Sequence, residues 1–523
     1  MKFISFAKLS ARTCGDADIH WKWRGENASN AELQRSAYIA HERAHGELRH
    51  RSGSAVLLAD RYGGTGVGHC GGSARCATLG DIQIKGVGLT PLHGTRPGSE
   101  PDSLHSSGII HLLDAGHEAI MSSVCGAVLP HGSVPALALL STGTLAKSAY
   151  AKPGDVPSVP RVLLLRRFAW RPAHFLRNLR FRPSPELMLA DDGARVAAAM
   201  RMLPDIFEGE LGVSRDGINE GLIAMAGRFA RQLAAAHAKR LFHGGLSPSN
   251  IALDGRYLDF GTTTAVPAYR RRVGAPKPGG ADIWGQSAYI EATLSTLQQH
   301  LERYLPLPPG YKLISEMELI QEFRCEHEEH LSIEFAKLSG IPEKALLSMP
   351  RELIDNAYRC MRTIALRGSR RYIWKEWKDE FFDQLTPLSS IGHHDLSEAL
   401  RAYGEAGLDA PVQVDTVLSD TKLAEALTAC LDALYAAYMQ QSAVQAQQIL
   451  RVSALRRCVR LNGEIDFLVR ETIHEELLEF ERDLTGVGEF IDCTIAKAVH
   501  MLSDSSEDDF RHSPSLLQAC ITT

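Results

Sequence analysis

The chain has 523 residues, of which 44% are hydrophobic and 23% are charged, and its formal net charge is −5. This length favours about two or three domains over a single core, and the mild negative charge gives no reason to expect nucleic-acid binding. The ten cysteines form no CxxC pair, and no segment has the pattern of a signal-peptide core or a membrane span, so the sequence predicts a cytoplasmic protein with reduced thiols and no membrane contact.

The N-terminal segment, residues 1–53, has a mixed pattern, with a stretch from Ala31 to His50 that is compatible with a helix. From Ser54 the apolar stretch SAVLLADRY is typical of a strand, and the glycine-rich run YGGTGVGHCGG follows from Tyr62 to Gly72. Glycines let backbone N–H groups approach phosphate closely. Because no strand–GxGxxG–helix order is present, the run is equally typical of an irregular surface loop.

The next predicted strand, DIQIK, alternates two isoleucines with Gln83 and Lys85, which is the period of a strand with one buried face. In protein kinases a lysine on an N-terminal strand contacts the phosphates of ATP. A lysine on a strand is more often simply solvated, and both interpretations stay open. Helical spacing then runs from 109 to 128 and includes Glu118. Such a helix could bring a carboxylate to Lys85.

A basic run from Arg166 to Arg182 comes after two predicted buried strands, at 134–140 and 161–165. Two interpretations of this run stay open. Its arginines bind phosphate groups, or they form a charged surface around Trp170 and Phe175.

Apolar residues recur at spacings of three to five from Leu222 to Leu241, which predicts an amphipathic helix. It leads directly into the stretch HGGLSPSNIALDGRYLDFG, residues 243–261. Within it, Asp254-Gly255 favours a two-residue type I′ hairpin turn, in which both residues have positive φ. We expect His243 to pack in the core and fix the loop rather than to transfer a proton.

The hairpin would place Asn250 and Asp259 at the same end, within reach of one ion. An amide oxygen beside a carboxylate suits Mg²⁺, which takes its other ligands from water and phosphates. Protein kinases hold the metal of ATP with a catalytic-loop Asn and the Asp of an Asp-Phe-Gly turn. The alternative is an ordinary hairpin in a loop-rich region.

The rest of the chain contains no motif with recognisable chemistry. Residues 262–286 are rich in Pro, Gly and Arg, which predicts an extended segment exposed to solvent. A helix is predicted from Ser287 to Tyr304, and LPLPPG at 305–310 marks the clearest break. The region beyond it has a mostly helical pattern, strongest at 423–450, and the tail from Ser503 is acidic and rich in serine.

With these motifs in place, the region from Ala55 to Leu301 resembles the selenoprotein O family, the kinase-like protein adenylyltransferases. The most specific similarity joins Gly68-His69 to the stretch DIQIKGVGLTP at 81–91, which resembles the family's GH…DLQLKGAGLTP. Residues 118–137 resemble the family's next helix and its LGIPTTRAL strand. Residues 243–261 are similar to its loop HGVMNTDN…DYG.

The resemblance implies an α+β, protein-kinase-like fold with two lobes, a β-rich N-lobe and a helical C-lobe. The implied segments are an N-terminal segment (1–53), the N-lobe (54–165), the C-lobe with its catalytic loop (166–305), a helical extension (306–502) and an acidic mobile tail (503–523). Family members are implied to bind ATP in a flipped orientation, with the γ-phosphate buried, and to transfer AMP to protein hydroxyls.

Carried over by position, Lys85 matches the phosphate-binding lysine and Glu118 its ion-pair partner. Asn250 and Asp259 match the magnesium ligands, so the implied cofactors are ATP and Mg²⁺. The implied ATP site is completed by Gly86, by Arg75 as a further match, and by one or more of Arg166, Arg167, Arg171 and Arg177.

The chain departs from the family at Ser249, where the family has an acidic residue just before the metal-binding Asn. Our prediction is transfer of AMP to a protein or peptide acceptor, with Lys85, Glu118 and Ser249 as the catalytic residues. A first alternative is a weakened pseudokinase that regulates a partner enzyme or protein. A second is adenylation of a peptide carboxylate, which has already lost its proton at about pH 7, in the maturation of a ribosomally made, microcin-type peptide. A phosphotransferase with ordinary ATP orientation is a third. Cys520 lies near the C-terminus, where the family has selenocysteine or cysteine.

Overall fold

The computed structural model describes residues 5–15, 17–25, 27–40, 53–94, 107–148, 157–266, 269, 282–367, 421–441 and 465–503. Within them an antiparallel sheet forms from the N-terminal part, and the C-terminal part is mostly helical. The predicted α+β class is therefore confirmed. None of the described helices combines the length and the apolar character that a membrane span needs.

Eight strands form one sheet. They are β1 (Phe6–Thr13), β2 (Ile19–Lys22), β3 (Tyr38–Ala40), β4 (Ser54–Asp60), β5 (Cys76–Leu79), β6 (Ile82–Lys85), β7 (Ala136–Lys147) and β8 (Ser158–Arg167). Their order is β2-β7-β8-β6-β5-β4-β1-β3, and neighbouring strands are antiparallel. The segment 1–53, predicted as separate from the N-lobe, thus contributes three strands to the same sheet as residues 54–165.

The helices within the described residues are α1 (Asn30–Arg35), α2 (Leu112–Val128), α3 (Asp192–Met200), α4 (Leu203–Leu211), α5 (Ile218–Ala238), α6 (Ser287–Tyr304), α7 (Glu316–Lys337), α8 (Glu343–Leu346), α9 (Arg351–Arg367), α10 (Thr421–Gln441), α11 (Arg470–Leu478) and α12 (Val487–Leu502). A small sheet pairs β9 (Leu241–Phe242) with β10 (Thr264–Ala265). The helix predicted at 287–304 is confirmed to the residue.

Several predicted segments differ from the structure or lie partly outside it. The predicted 222–241 helix is α5, but it ends at Ala238 and Leu241 already belongs to β9. The helix suggested at 31–50 is α1, which stops at Arg35. Residues 41–52, 442–464 and 504–523, which include Cys520 and the acidic tail, lie outside the described residues, as does most of the segment 262–286.

Strand β6 lies in the middle of the sheet, between β5 and β8, and its four residues are all buried. Ile82 and Ile84 belong to an apolar cluster on one face of the sheet. Gln83 and Lys85 are on the other face, toward α2. The expected strand with one buried face is therefore wrong, because a central strand covered on both sides buries its polar residues as well.

The C-terminal helices α11 and α12 pack against helix α2. Gly116 of α2 contacts α11 so closely that a Cβ there would lie 2.9 Å from Leu477. On α12, the Asp492 carboxylate accepts a hydrogen bond from Trp21 Nε1 at 2.9 Å, and the Leu502 carbonyl accepts one from Lys239 Nζ at 2.9 Å. These contacts fix α2 against the sheet and so position the side chains that α2 directs toward β6.

Candidate functional site

Lys85 occupies the centre of the site, at the C-terminal end of β6, and is 2% exposed. Its ammonium contacts the Glu118 carboxylate of α2 and lies 2.5 Å from Asp259 Oδ1. Burial acts to lower the pKa of Lys85, but the Asp259 and Glu118 carboxylates outweigh it and raise that pKa above its ordinary value. Lys85 therefore stays charged, and the predicted Lys85–Glu118 contact is confirmed.

Asp259 forms the open edge of this cluster. Its side chain is 35% exposed, whereas those of Lys85 and Glu118 are 2% and 3% exposed. Burial acts to raise the pKa of Asp259, but the charges of Lys85, Arg166 and Arg75 lower it well below its usual range. Its backbone is left-handed, with φ of 62°, a conformation that Asp adopts more readily than most residues. The carboxylate is thus ionised and faces outward beside Lys85.

The hairpin at 251–257 forms, but with a different turn. Ile251 pairs with Tyr257, and Gly255 has φ of 91° while Asp254 is not in the left-handed region. The predicted type I′ turn is therefore wrong. Instead, Ala252 N donates to Arg256 O at 2.8 Å, which is typical of a three-residue loop that ends in a left-handed Gly. The Asp254 carboxylate accepts a hydrogen bond from Arg256 N at 3.2 Å, so its side chain stabilises this loop.

Asn250 and Asp259 lie at the same end of the hairpin, as predicted. Leu258 N donates to Asn250 O at 3.2 Å, so Asp259 directly follows the residue opposite Asn250. The Asn250 amide donates to Gly245 O at 2.8 Å, and its oxygen accepts a hydrogen bond from Ser249 Oγ at 3.0 Å. That oxygen retains a second lone pair.

This pair of oxygen ligands suits a metal that also binds other groups. No three His, Cys, Asp or Glu side chains among the described residues are grouped so that they could hold a metal ion. Asp259 Oδ2 and the remaining lone pair of the Asn250 oxygen are available, and Mg²⁺ commonly combines one or two protein oxygens with water and phosphate. The two residues therefore fit the predicted metal only together with a phosphate ligand.

Ser249 is buried in the loop before the hairpin. Its hydroxyl lies 2.8 Å from Ser247 Oγ and donates to the Asn250 amide oxygen. The glycine-rich run lies directly on this loop, because a Cβ on Gly66 would be 2.7 Å from Ser247 Oγ. The run is thus part of the site rather than a remote surface loop.

Two arginines extend the charge network behind Lys85. Arg166 donates to Glu118 Oε1 and to Gln83 Oε1, both at 2.8 Å. Burial acts to lower the pKa of Arg166, but Glu118 raises it. Arg171 donates to Gln83 Oε1 at 3.2 Å and to Ser249 O at 3.1 Å.

The Arg171 guanidinium still has an unsatisfied donor. It lies 5.3 Å from the centre of the Tyr62 ring, and its Nε has no hydrogen-bond partner among the described residues. Buried donors are rarely left unpaired, because their desolvation is then uncompensated. A phosphate oxygen would fit this donor.

Arg167 and Arg177, two other predicted ATP-binding residues, have partners outside this network. Arg167 pairs with Asp81, whose side chain is 56% exposed. Arg177 Nε lies 3.6 Å from Asp192, and its Nη1 is 3.4 Å from the Tyr304 hydroxyl.

The last two predicted ATP-binding residues, Arg75 and Gly86, border Lys85. The charge of half-buried Arg75 acts to lower the pKa values of Lys85 and Asp259, so it lies near both. Gly86 N donates to Arg75 O at 2.9 Å. Gly86 has φ of 96°, and a Cβ there would meet Ile110 at 2.6 Å. Its lack of a side chain is therefore required by packing against Ile110.

His243 has the structural role that we expected. It is 1% exposed, and its Nε2 lies 3.1 Å from the Leu258 carbonyl. Burial lowers its pKa to about 4, so the ring is neutral at neutral pH. It packs against Tyr257 and Phe260 and ties the loop to the hairpin.

Sequence reasoning missed two residues of the network. Asp60, at the end of β4, is 2% exposed and accepts a hydrogen bond from Gln83 Nε2 at 3.2 Å. The alternating pattern of β6 assigns Gln83 to a solvated face instead. A signal was present for Asp60, which directly follows the apolar run at 55–59 of β4.

No protein-family model matches the chain, and no curated protein shows significant similarity to it.

Proposed function

We propose that this chain binds Mg-ATP at Lys85 and transfers AMP to a protein or peptide acceptor, as a divergent relative of the kinase-like adenylyltransferases of the selenoprotein O family. The observation that carries the proposal is the Lys85 ammonium held between Glu118 and Asp259. A strand lysine, a helix glutamate and the Asp of an Asp-Phe-Gly turn form this arrangement in protein kinases, where it positions ATP phosphates.

The roles follow from the charges. Lys85 binds phosphate oxygens, and Glu118 holds the lysine in place, because Glu118 is too deeply buried to face a ligand directly. Asn250 and Asp259 would hold Mg²⁺, which neutralises phosphate charge when it is bound. The glycine-rich run at 62–72 covers the catalytic loop and so limits access of water to the phosphates.

The pair Arg166 and Arg171 supports AMP transfer over phosphoryl transfer. An arginine offers a fork of donors that matches phosphate oxygens, and these two lie behind Lys85 at the buried end of the site. If they hold the γ-phosphate, the α-phosphate is the one left to face the acceptor. The acceptor oxygen then attacks the α-phosphorus, the bond to the β-phosphate oxygen breaks, and pyrophosphate leaves.

Ser249 favours a second candidate, a nucleotide-binding protein with little or no chemistry. A hydroxyl acceptor must lose its proton as it attacks, and a nearby carboxylate is the usual base. Residues 243–250 contain no carboxylate. The Ser249 hydroxyl forms hydrogen bonds with the side chains of Ser247 and Asn250. The candidate would bind Mg-ATP in the same place and act through a partner protein.

Parallel incubations with α-labelled and γ-labelled ATP separate these functions. Label retained on protein or peptide from α-labelled ATP alone supports AMP transfer, and label from γ-labelled ATP alone indicates a phosphotransferase. Retention of neither label, with Mg-ATP binding measured by calorimetry, favours the binding protein. Asp259→Ala serves as the matched negative control, since it removes the proposed metal ligand.

A further inference from the structure

A buried hydrogen-bond network connects Asp60, through Gln83, to Arg166 and Arg171. Gln83 Oε1 accepts hydrogen bonds from Arg166 Nε at 2.8 Å and from Arg171 Nη2 at 3.2 Å. Its Nε2 donates to Asp60 Oδ2 at 3.2 Å. Guanidinium groups only donate, so the amide oxygen must face the arginines and the amide nitrogen must face an acceptor. Asp60 supplies that acceptor and thereby fixes which way the Gln83 amide points.

Asp60 is connected to the two arginines through the Gln83 amide rather than by a direct ion pair. Its carboxylate has hydrogen bonds from Gln83 and, at 3.5 Å, from Thr78. It has no direct ion pair with the basic side chains in the described parts of the chain. The charge on Asp60 therefore acts on Arg171 and Arg166 through space and through the shared amide.

We propose that Asp60 and Gln83 are positioning residues that hold Arg166 and Arg171 together as a phosphate-binding pair, and that the charge on Asp60 sets how strongly this pair binds the phosphate end of a nucleotide. The inference rests on the proposed nucleotide site and adds its regulation by pH. A neutral Asp60 leaves the arginine pair with its full positive potential, whereas an ionised Asp60 cancels part of it.

The pKa of Asp60 places this change near neutral pH. Burial raises that pKa to about 7, against the opposing effects of Arg171, the Gln83 and Thr78 hydrogen bonds and Arg166. Phosphate affinity should therefore fall as the pH rises through about 7, because Asp60 becomes ionised over that range.

Two other titratable groups of this region, Tyr62 and His174, do not change charge in this range. Burial raises the pKa of the Tyr62 phenol above its ordinary value, and it lowers the pKa of His174 well below the usual range. Both side chains are thus neutral from pH 6 to 8. The sign of the effect is set by Asp60 alone among these groups.

The test is Mg-ATP affinity of the wild-type protein and of Asp60→Asn, measured by calorimetry from pH 6 to pH 8.5. Asparagine keeps an acceptor for Gln83 Nε2 but never ionises, so it mimics the protonated state. The ratio of the two dissociation constants removes the titration of ATP itself, which is common to both proteins. Asp81→Asn is the matched control, since it removes a carboxylate from the Arg167 pair at the exposed end of the neighbouring turn.

We expect the wild-type and Asp60→Asn proteins to bind Mg-ATP about equally at pH 6. At pH 8 the wild type should bind roughly fivefold more weakly, the scale of one screened charge about 10 Å away. The ratio for Asp81→Asn should be flat across the range. A flat ratio for Asp60→Asn, with ATP bound at every pH, would overturn this inference and leave the proposed function standing. Absence of Mg-ATP binding by the wild type at any pH would instead overturn the proposed function, and this inference with it.

A second measurement needs no variant and covers the case that Asp60→Asn does not fold. Phosphate binding should favour the protonated carboxyl of Asp60, so the wild-type protein should take up protons when it binds Mg-ATP near pH 7. Calorimetry in two buffers of different ionisation enthalpy measures this uptake. Uptake that peaks near pH 7 supports the inference, and binding without proton uptake contradicts it.

Discussion

Arg166 and Arg167 are adjacent in the sequence, but their surroundings have little in common. Arg166 and Arg171, the inner arginines, are buried and share Glu118 and Gln83 with the Lys85 network. Arg167 and Arg177, the outer arginines, pair with Asp81 and Asp192 and are 25% and 29% exposed. A buried guanidinium needs several partners to offset its desolvation, whereas an exposed pair contributes only about 0–1 kcal/mol. The same residue type is therefore part of the buried Lys85 network in one place and a partly exposed surface group in the other.

The difference originates in the geometry of β8. Successive side chains of a strand point to opposite faces of the sheet. Arg166 therefore shares the α2 face with Lys85 and Gln83, and Arg167 projects from the other face toward Asp81. From the sequence, the basic run at 166–182 was compatible with phosphate binding or with a charged surface. The structure shows that the run contains both buried and partly exposed arginines.

The largest effect is expected when Asp259, the partly exposed carboxylate that contacts Lys85, is removed. Asp259→Ala should abolish Mg-dependent ATP binding and cost several kcal/mol of transition-state stabilisation, on the scale of an electrostatic clamp. Calorimetry of Mg-ATP binding is the measurement. Asp81→Ala, which removes an outer carboxylate, should leave the affinity unchanged. An unaltered Mg-ATP affinity in Asp259→Ala would show that the inner network does not bind the metal nucleotide.

A smaller effect, on the free energy of unfolding, should distinguish Arg166 from Arg167. Arg166→Met leaves the buried Glu118 with Lys85 as its remaining ion-pair partner and leaves Gln83 with one donor fewer. We expect the free energy of unfolding to fall by about 3 kcal/mol. Arg167→Met should change it by less than about 0.5 kcal/mol. Urea unfolding of the two variants gives the comparison, and equal losses would mean that burial does not distinguish the two arginines.

Much of this arrangement could be predicted from the sequence because it depends on local pattern. The helix predicted at 287–304 matches α6 to the residue. The strand predicted at 161–165 ended before Arg166, so it did not place Arg166 and Arg167 on opposite faces. The resemblance supplied the Lys85–Glu118 pair, which no local pattern could join. The position of Asn250 beside Asp259 followed from the presence of a hairpin, although the turn type was wrong.

The remainder depends on tertiary context. Strand β1 alternates buried Ala7, Leu9 and Ala11 with more exposed residues, a weak signal because alanine has low strand propensity. The pattern assigns Gln83 to a solvated face because nothing local shows that β6 is a central strand covered on both sides. Asp60 enters the site only through Gln83, so its role could not be predicted before the sheet order was known.

Acid should destabilise the loop that begins at His243, whereas the outer arginines should not contribute to acid sensitivity. The pKa of His243 is about 4 in the folded protein, against about 6.5 in an unfolded chain. Between these values the unfolded state binds a proton that the folded state does not, so the free energy of unfolding falls as the pH falls from 6.5 to 4.

We expect His243 to account for about 2 kcal/mol of this loss. His243→Gln should reduce the slope of stability against pH over this range, measured by urea unfolding at fixed pH values. Arg167→Met should leave the slope as it is in the wild type. A His243→Gln protein with the full wild-type slope would assign the acid sensitivity to other buried histidines.

The smallest effect is expected at Arg177, and it tests the division into inner and outer arginines most directly. Arg177 occupies a position that the family resemblance offers for the triphosphate, but its guanidinium contacts Asp192 and the Tyr304 hydroxyl instead. Arg177→Met should therefore weaken Mg-ATP binding by less than about 0.5 kcal/mol, the scale of a partly exposed ion pair. Arg171→Met, which removes the inner guanidinium with the unsatisfied Nε, is the matched variant and should weaken binding at least tenfold, about 1.4 kcal/mol. Calorimetry of both variants under one set of conditions decides between them. If Arg177→Met weakens binding as much as Arg171→Met, the outer arginine takes part in phosphate binding, and the division into inner and outer arginines describes the free protein only.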